Sequence, residues 1–187
     1  MENADVADIT ASRAGDDEAY ARLVRRHERQ ITRLVWRFTR DAAQCEELVQ
    51  QVFVEAYFSL RTYRGRAPFL HWLRRIATRV GYRFWREQAR QQHGVSLTKL
   101  DAIEAAHEDH IDAAEASGIL HALLARLDPA DRLVLTLMYF EDCGTQEIAE
   151  RMGWSRANVK TRALRARRRL KEIAEQEELL EKLGWTR

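Results

Sequence analysis

Proline is almost missing from this chain, with two residues in 187, and glycine is scarce at eight. Turn-rich all-β architectures depend on both. Their scarcity, with apolar residues recurring at helical spacing, predicts an all-α protein. Only two cysteines are present. Cys45 and Cys143 each sit inside an apolar pattern, which predicts buried thiols and excludes a disulfide scaffold. No apolar run approaches the ~20 residues of a membrane span, and the acidic start MENADVAD lacks the order of a secretory signal. The expectation is a cytoplasmic protein with no direct membrane insertion. Clusters with catalytic or metal-ligand spacing are also lacking. His107 and His110 lie three apart among acids with no third strong ligand nearby, so no enzyme, metal or cofactor is expected.

What the chain does contain is charge, unevenly placed. Its net charge is only +2. Residues 1–90 carry 17 Lys and Arg against 12 Asp and Glu, and residues 91–118 carry one against six. Residues 119–187 carry 13 against 11, with five of the acids after the last basic run. Two basic bodies therefore flank an acidic strip. Basic surfaces with so modest a total suit a DNA binder that gains affinity through a larger partner.

Apolar periodicity divides the chain in the same way. Tyr20, Leu23, Val24, His27, Ile31, Leu34, Val35 and Phe38 follow helical spacing, and the pattern restarts with Cys45, Leu48, Val49, Val52, Phe53, Ala56 and Leu60. A polar loop ends at Pro68, suited to the first turn of a third helix running to about Arg90. These elements predict a helical domain over 1–90. Residues 91–118 have no sustained apolar face and read as an acidic linker. A second domain, 119–187, begins with Leu120, Leu123, Leu124 and Leu127, is punctuated by Asp128-Pro129, and continues through Leu133, Val134, Leu137, Met138 and Phe140. The tail beyond it repeats apolar residues at Leu179, Leu180, Leu183 and Trp185, with folding back on the domain favoured and partner binding or fraying left open.

The most specific motif is GTQEIAERMGWSRANVKTRALRARRRLK, residues 144–171. Ala149, Gly153 and Val159 have helix-turn-helix spacing: a small residue where the helices cross, a glycine for the left-handed turn, and an apolar seat. Ile148 and Met152 add to the first helix, and Ser155 is a suitable N-cap for the second. Gly144 or Thr145 remains open as the cap of the first. Val159, Ala163, Ala166 and Leu170 form a seating stripe on the second helix. Its other faces carry Arg156, Asn158, Lys160, Thr161, Arg162, Arg165, Arg167, Arg168, Arg169 and Lys171, a composition suited to a phosphate-lined groove. Arg156, Asn158 and Arg162 are placed to meet base edges, whereas Lys160, Arg165 and Arg168 suit phosphates.

A second cationic region mixes arginine with aromatic rings. Tyr63, Phe69, Trp72, Tyr82, Phe84 and Trp85 alternate with Arg61, Arg64, Arg66, Arg74, Arg75, Arg79, Arg83, Arg86 and Arg90. Unpaired bases stack on rings while guanidiniums follow phosphates, so this composition suits single-stranded DNA. Phe69 is expected in the core. The loop 63–67, with Gly65 permitting an unusual turn, is a candidate for capturing an extruded base.

Together, EELVQQVFVEAY, TYRGRAPFLHWLRRIA, the acidic linker and LLARLDPADRLVLTLMYFEDCGTQEIAERMGWSRANVKTRALRARRRL resemble the extracytoplasmic-function group of bacterial RNA polymerase sigma factors. The resemblance covers roughly residues 15–90 and 119–173. It implies that residues 46–56 dock on the clamp coiled coil of the largest polymerase subunit, with Glu47, Leu48, Gln50, Gln51, Val52 and Glu55 as contact positions. It implies that 63–79 opens and reads the −10 element, through Tyr63, Arg64, Gly65, Arg66, Trp72, Arg75 and Arg79. It also implies that 156–168 reads the duplex −35 element, through Arg156, Asn158, Lys160, Thr161, Arg162, Arg165 and Arg168. The expected partners are core RNA polymerase, promoter DNA in duplex and single-stranded form, and an anti-sigma factor. Two other classes stay open: a stand-alone helix-turn-helix regulator, which needs an operator and no polymerase, and a helical sigma mimic, which needs no DNA-reading helix.

Overall fold

The computed structural model describes residues 2–94 and 113–176. Among them the chain forms eight α-helices and one 3-10 turn, in two compact units, Met1–Trp85 and Arg86–Arg187. The acidic stretch 95–112, with His107 and His110, lies outside the described residues, as does the tail beyond Gln176 with Leu179, Leu180, Leu183 and Trp185.

The first unit opens with α1 (Glu2–Arg13), a helix absent from the sequence expectation. It is followed by α2 (Asp17–Val35), α3 (Ala42–Ser59), the 3-10 turn (Leu60–Thr62) and α4 (Phe69–Gly94), which belongs to this unit as far as Trp85 and runs four residues past the expected end at Arg90. Aspartate starts both middle helices. Asp16 accepts from the Ala19 amide at 3.0 Å and Asp41 from the Gln44 amide at 2.8 Å, each satisfying an amide that the first turn leaves without a partner. Pro68 immediately precedes α4, where its carbonyl accepts from the His71 amide at 3.0 Å. The predicted apolar stripes face inward: Leu23, Ile31, Leu34, Val52 and Leu73 are all fully buried. Gly81 lets Phe38 lie directly against the α4 backbone, and Trp85 closes the corner by donating from Nε1 to the Phe38 carbonyl at 2.7 Å.

α1 docks by charge rather than by an apolar stripe. Asp5 and Asp8 are buried beneath α2, where Arg26 pairs with each at 2.6 Å and Arg22 with Asp8 at 2.8 Å. The buried His27 ring sets Nε2 3.1 Å from both Asp5 carboxylate oxygens. Arg26, hydrogen bonded to Asp8, holds that carboxyl below its ordinary range.

The second unit contains α5 (Ala113–Ala125), α6 (Pro129–Phe140), α7 (Thr145–Met152) and α8 (Arg156–Gln176). Asp128 caps α6 by accepting from the Ala130 amide at 3.0 Å, with Pro129 in the first turn as the sequence predicts. Leu123, Leu124, Leu127 and Leu135 pack with Ala166 and Ile173 of α8 into one core. Cys45 and Cys143 are free and buried. No described helix is long and apolar enough to cross a membrane.

Candidate nucleic-acid interface

α7 and α8 form the predicted helix-turn-helix. Gly153 ends α7 in the left-handed region at φ 70°, and its amide donates to the Ala149 carbonyl. Gly144 is the N-cap of α7 and brings no side-chain bond, which decides between the two alternatives. Ser155 caps α8, its Oγ accepting from the Asn158 amide at 3.1 Å. Val159, Ala163 and Ala166 are buried, so the seating stripe holds as predicted.

That seating fixes which residues face outward. Positions three, four and seven apart share a helix face, so Ala157, Thr161, Leu164 and Arg168 lie opposite the stripe, flanked by Lys160. All five are exposed. Leu164 was not among the expected contact residues, yet it leaves about half its surface in water. Its signal in the sequence was an apolar residue out of phase with the stripe. Asn158 and Arg156 are exposed at the start of the helix, with Arg156 Nε 3.3 Å from Thr145 Oγ1.

Two expected contact residues are engaged within the domain. Arg162 donates from Nε to Asn158 Oδ1 at 2.8 Å and from Nη1 to Asp131 Oδ1 at 2.9 Å, and its guanidinium lies 5.2 Å from the Trp154 ring centre. Arg165 grips both oxygens of Asp131, at 2.6 and 2.7 Å. Arg167, on another face, donates to the Tyr139 hydroxyl at 2.9 Å.

The loop before α4 has a different construction. Tyr63 donates to the Ala67 carbonyl at 2.7 Å, closing a tight loop around Gly65 at φ 68°. Glycine takes that conformation without the steric cost of a side chain. The Tyr63 ring meets Phe69 and Trp72 with centroids 5.4 and 5.5 Å away. Phe69 is buried as expected, while Tyr63 and Trp72 are half-buried and offer ring surface to solvent. Arg64, Gly65 and Arg66 are exposed in the loop. Arg75 and Arg79 are exposed on α4 at three and seven residues from Trp72, on the same face. An aromatic platform bordered by cations results, with geometry suited to an unstacked strand.

Comparison with known proteins agrees with these two constructions. Residues 23–91 match the family described as Sigma-70 region 2, and residues 117–170 match Sigma-70, region 4. The RNA polymerase sigma-H factor of Pseudomonas aeruginosa is 30% identical over 164 residues, spanning 82% of this chain and 84% of that protein. This chain belongs to the sigma-70 family. Within it, the resemblance to the extracytoplasmic-function group holds. The ECF RNA polymerase sigma-E factor of Escherichia coli is 28% identical over 166 residues, covering 82% of this chain and 85% of the relative. The ECF RNA polymerase sigma factor SigW of Bacillus subtilis is 25% identical over 174 residues, covering 88% and 93%. Among solved structures, CnrH in complex with the cytosolic domain of CnrY matches with a TM-score of 0.61 at 24% identity, covering 92% of this chain and 98% of that one. The sigma factor RpoE in complex with the anti-sigma factor NepR, from Bartonella quintana, matches at 0.58 and 19% identity, covering 83% and 96%. Both structures share the fold.

The chain is thus an alternative sigma factor, whose partners are core RNA polymerase and promoter DNA. The segment that resembles the polymerase-docking helix is α3, and its expected contacts divide. Glu47, Gln50 and Gln51 are exposed, while Leu48 and Val52 are in the core, where they orient the helix and offer no surface. Glu55 pairs with Arg83 of α4. Two residues missed in sequence complete the outer face. Val54 is 52% exposed and Phe58 80%, at positions that align with Glu47 and Gln51 around the helix.

Proposed function

We propose that this sigma factor works in the cytoplasm without catalytic chemistry of its own, dividing promoter recognition between two surfaces. The outer face of α8 enters the major groove of the −35 element, with Arg156, Asn158, Thr161 and Leu164 at base edges and Lys160 and Arg168 on phosphates. Tyr63, Trp72 and the loop 64–66 capture bases of the −10 element as they leave the stack, while Arg75 and Arg79 follow the strand backbone. Because captured bases exist only in the open duplex, this binding energy shifts the equilibrium toward melting. Glu47, Gln50, Gln51, Val54 and Phe58 dock on the clamp coiled coil of the polymerase, which performs the chemistry. An anti-sigma factor that covers these docking surfaces is the proposed regulator.

The observation that carries this reading is the contrast between the two cationic surfaces: a capped helix seated for a groove, and a half-buried ring platform beside a glycine loop. Run-off transcription with bacterial core polymerase on a pool of random promoters tests it. Transcripts should begin downstream of one shared pair of motifs only when the chain is present. Absence of initiation, with tight operator binding by the chain alone, would instead establish a stand-alone regulator.

A further inference from the structure

Two cations of the recognition helix are paired within their own domain, Arg162 largely covered and Arg165 with its outer side still in water. Asp131 sits in the first turn of α6, where a carboxylate is favoured by the helix amides, and it is buried. Its two oxygens accept three hydrogen bonds from Arg162 and Arg165 at 2.6 to 2.9 Å. Asp128 adds a second carboxylate 3.7 Å from Arg162 Nη1. Arg162 is occupied on its remaining sides by Asn158 and the Trp154 ring. The pair with Asp131 pushes the Arg165 guanidinium above its ordinary pKa. Lys160 and Arg168 on the outer face, by contrast, have no such partner among the described residues.

We infer that Asp131 is a positioning residue that sets −35 specificity by holding Arg162 and Arg165 against their own domain, away from DNA phosphates. This inference rests on the proposed −35 role of α8. Each phosphate contact adds about 0.9 to the log–log salt slope of duplex binding and favours every sequence alike. Two guanidiniums removed from that pool lower affinity for arbitrary DNA, and discrimination then depends on side chains at the base edges. Affinity is exchanged for specificity. The same clamp holds Asn158, through Arg162, in one rotamer at the start of the reading face.

The test uses the chain assembled with core polymerase, a duplex carrying the −35 element recovered by random-pool selection, and a scrambled duplex of equal composition. Binding is followed by anisotropy between about 50 and 200 mM salt. Asp131→Asn should bind the scrambled duplex several-fold more tightly at low salt and steepen the slope by about one to two. It should also shrink the ratio between recovered and scrambled duplexes. Removing the Asp131 charge by itself also favours DNA binding, so the double substitution with Arg165 identifies the released guanidinium. Arg165→Gln alone should leave the slope nearly unchanged, yet added to Asp131→Asn it should return about one unit of it. The inference is overturned if Asp131→Asn leaves slope and ratio unchanged or weakens both duplexes equally. It is also overturned if Arg165→Gln alone flattens the slope by about one, which would place that guanidinium on phosphate already. If the unsubstituted assembly fails to distinguish the two duplexes, the −35 reading itself falls, and this inference with it.

Discussion

Arg13, in the last turn of α1, donates from Nε and Nη2 to the carbonyl oxygen of Leu60, 47 residues later, at 3.3 and 2.9 Å. The same Nη2 reaches the Tyr63 carbonyl. One guanidinium therefore fastens both ends of the backbone turn that leads into the loop proposed to capture bases. The other end of α1 reaches the same platform through rings: Asp5 holds His27, and His27 lies 5.5 Å from Phe69.

Arg13→Ala should therefore loosen the loop while leaving α8 untouched. Hydrogen bonds from a partly exposed guanidinium contribute about 1 kcal/mol, which corresponds to a roughly fivefold loss of open complex. Permanganate reactivity of the −10 region should fall while −35 duplex affinity stays constant. An equal loss of both would assign Arg13 to general stability.

Docking of α1 should depend on acid. Arg26 and Arg22 hold the Asp8 carboxyl below the ordinary 3.8. A depressed carboxylate contributes stability that is complete above its unfolded pKa and is lost as pH falls through the folded value. Hydrogen-exchange protection of the α1 amides should therefore decline below about pH 4. Asp8→Asn should show the weakened protection already at neutral pH, with a flatter profile. Protection that survives acid unchanged would mean that the ion pairs do not hold the helix.

Gly81→Ala should destabilise the N-terminal unit, although alanine favours a helix by about 1 kcal/mol. A Cβ at this position would run into the Phe38 ring, which Trp85 holds from the other side at a centroid distance of 4.7 Å. Overpacking of this kind costs about 1 to 3 kcal/mol. The tryptophan-fluorescence transition in urea should move to lower denaturant. An unchanged midpoint would show that Phe38 can shift freely.

Phe58→Glu separates docking from folding. The ring is 80% exposed, so its replacement should leave the circular dichroism spectrum intact. A buried aromatic anchor at an interface is worth about 2 kcal/mol or more, and affinity for core polymerase should fall at least tenfold. Undiminished competition for core would place the docking surface elsewhere.

Much of this was legible in the chain because local rules and tertiary packing agree. The stripes from Leu23 to Val35 and from Cys45 to Ala56, the caps at Asp128 and Ser155, and the left-handed Gly153 each follow from one short segment. α1 escaped because its inner face is mostly polar: Asp5, Asp8 and Ser12 are buried beside a single large apolar residue, Ile9, so apolar periodicity gave no signal. Its warrant is complementary spacing, acids three apart on one helix and Arg22 and Arg26 four apart on another, and nothing in either segment alone pairs them.

The sequence by itself determined the all-α class, the order of the helices after α1, the helix-turn-helix and the family, since these depend on periodicity, caps and spacing within short windows. Tertiary structure alone decided which functional side chains are available. Leu48 and Val52 went to the core, Val54 and Phe58 to solvent, and Arg162 and Arg165 to Asp131, 31 and 34 residues earlier. The physical reason is that periodicity fixes relative angles around a helix, whereas exposure and ion pairing depend on what a distant segment brings against it.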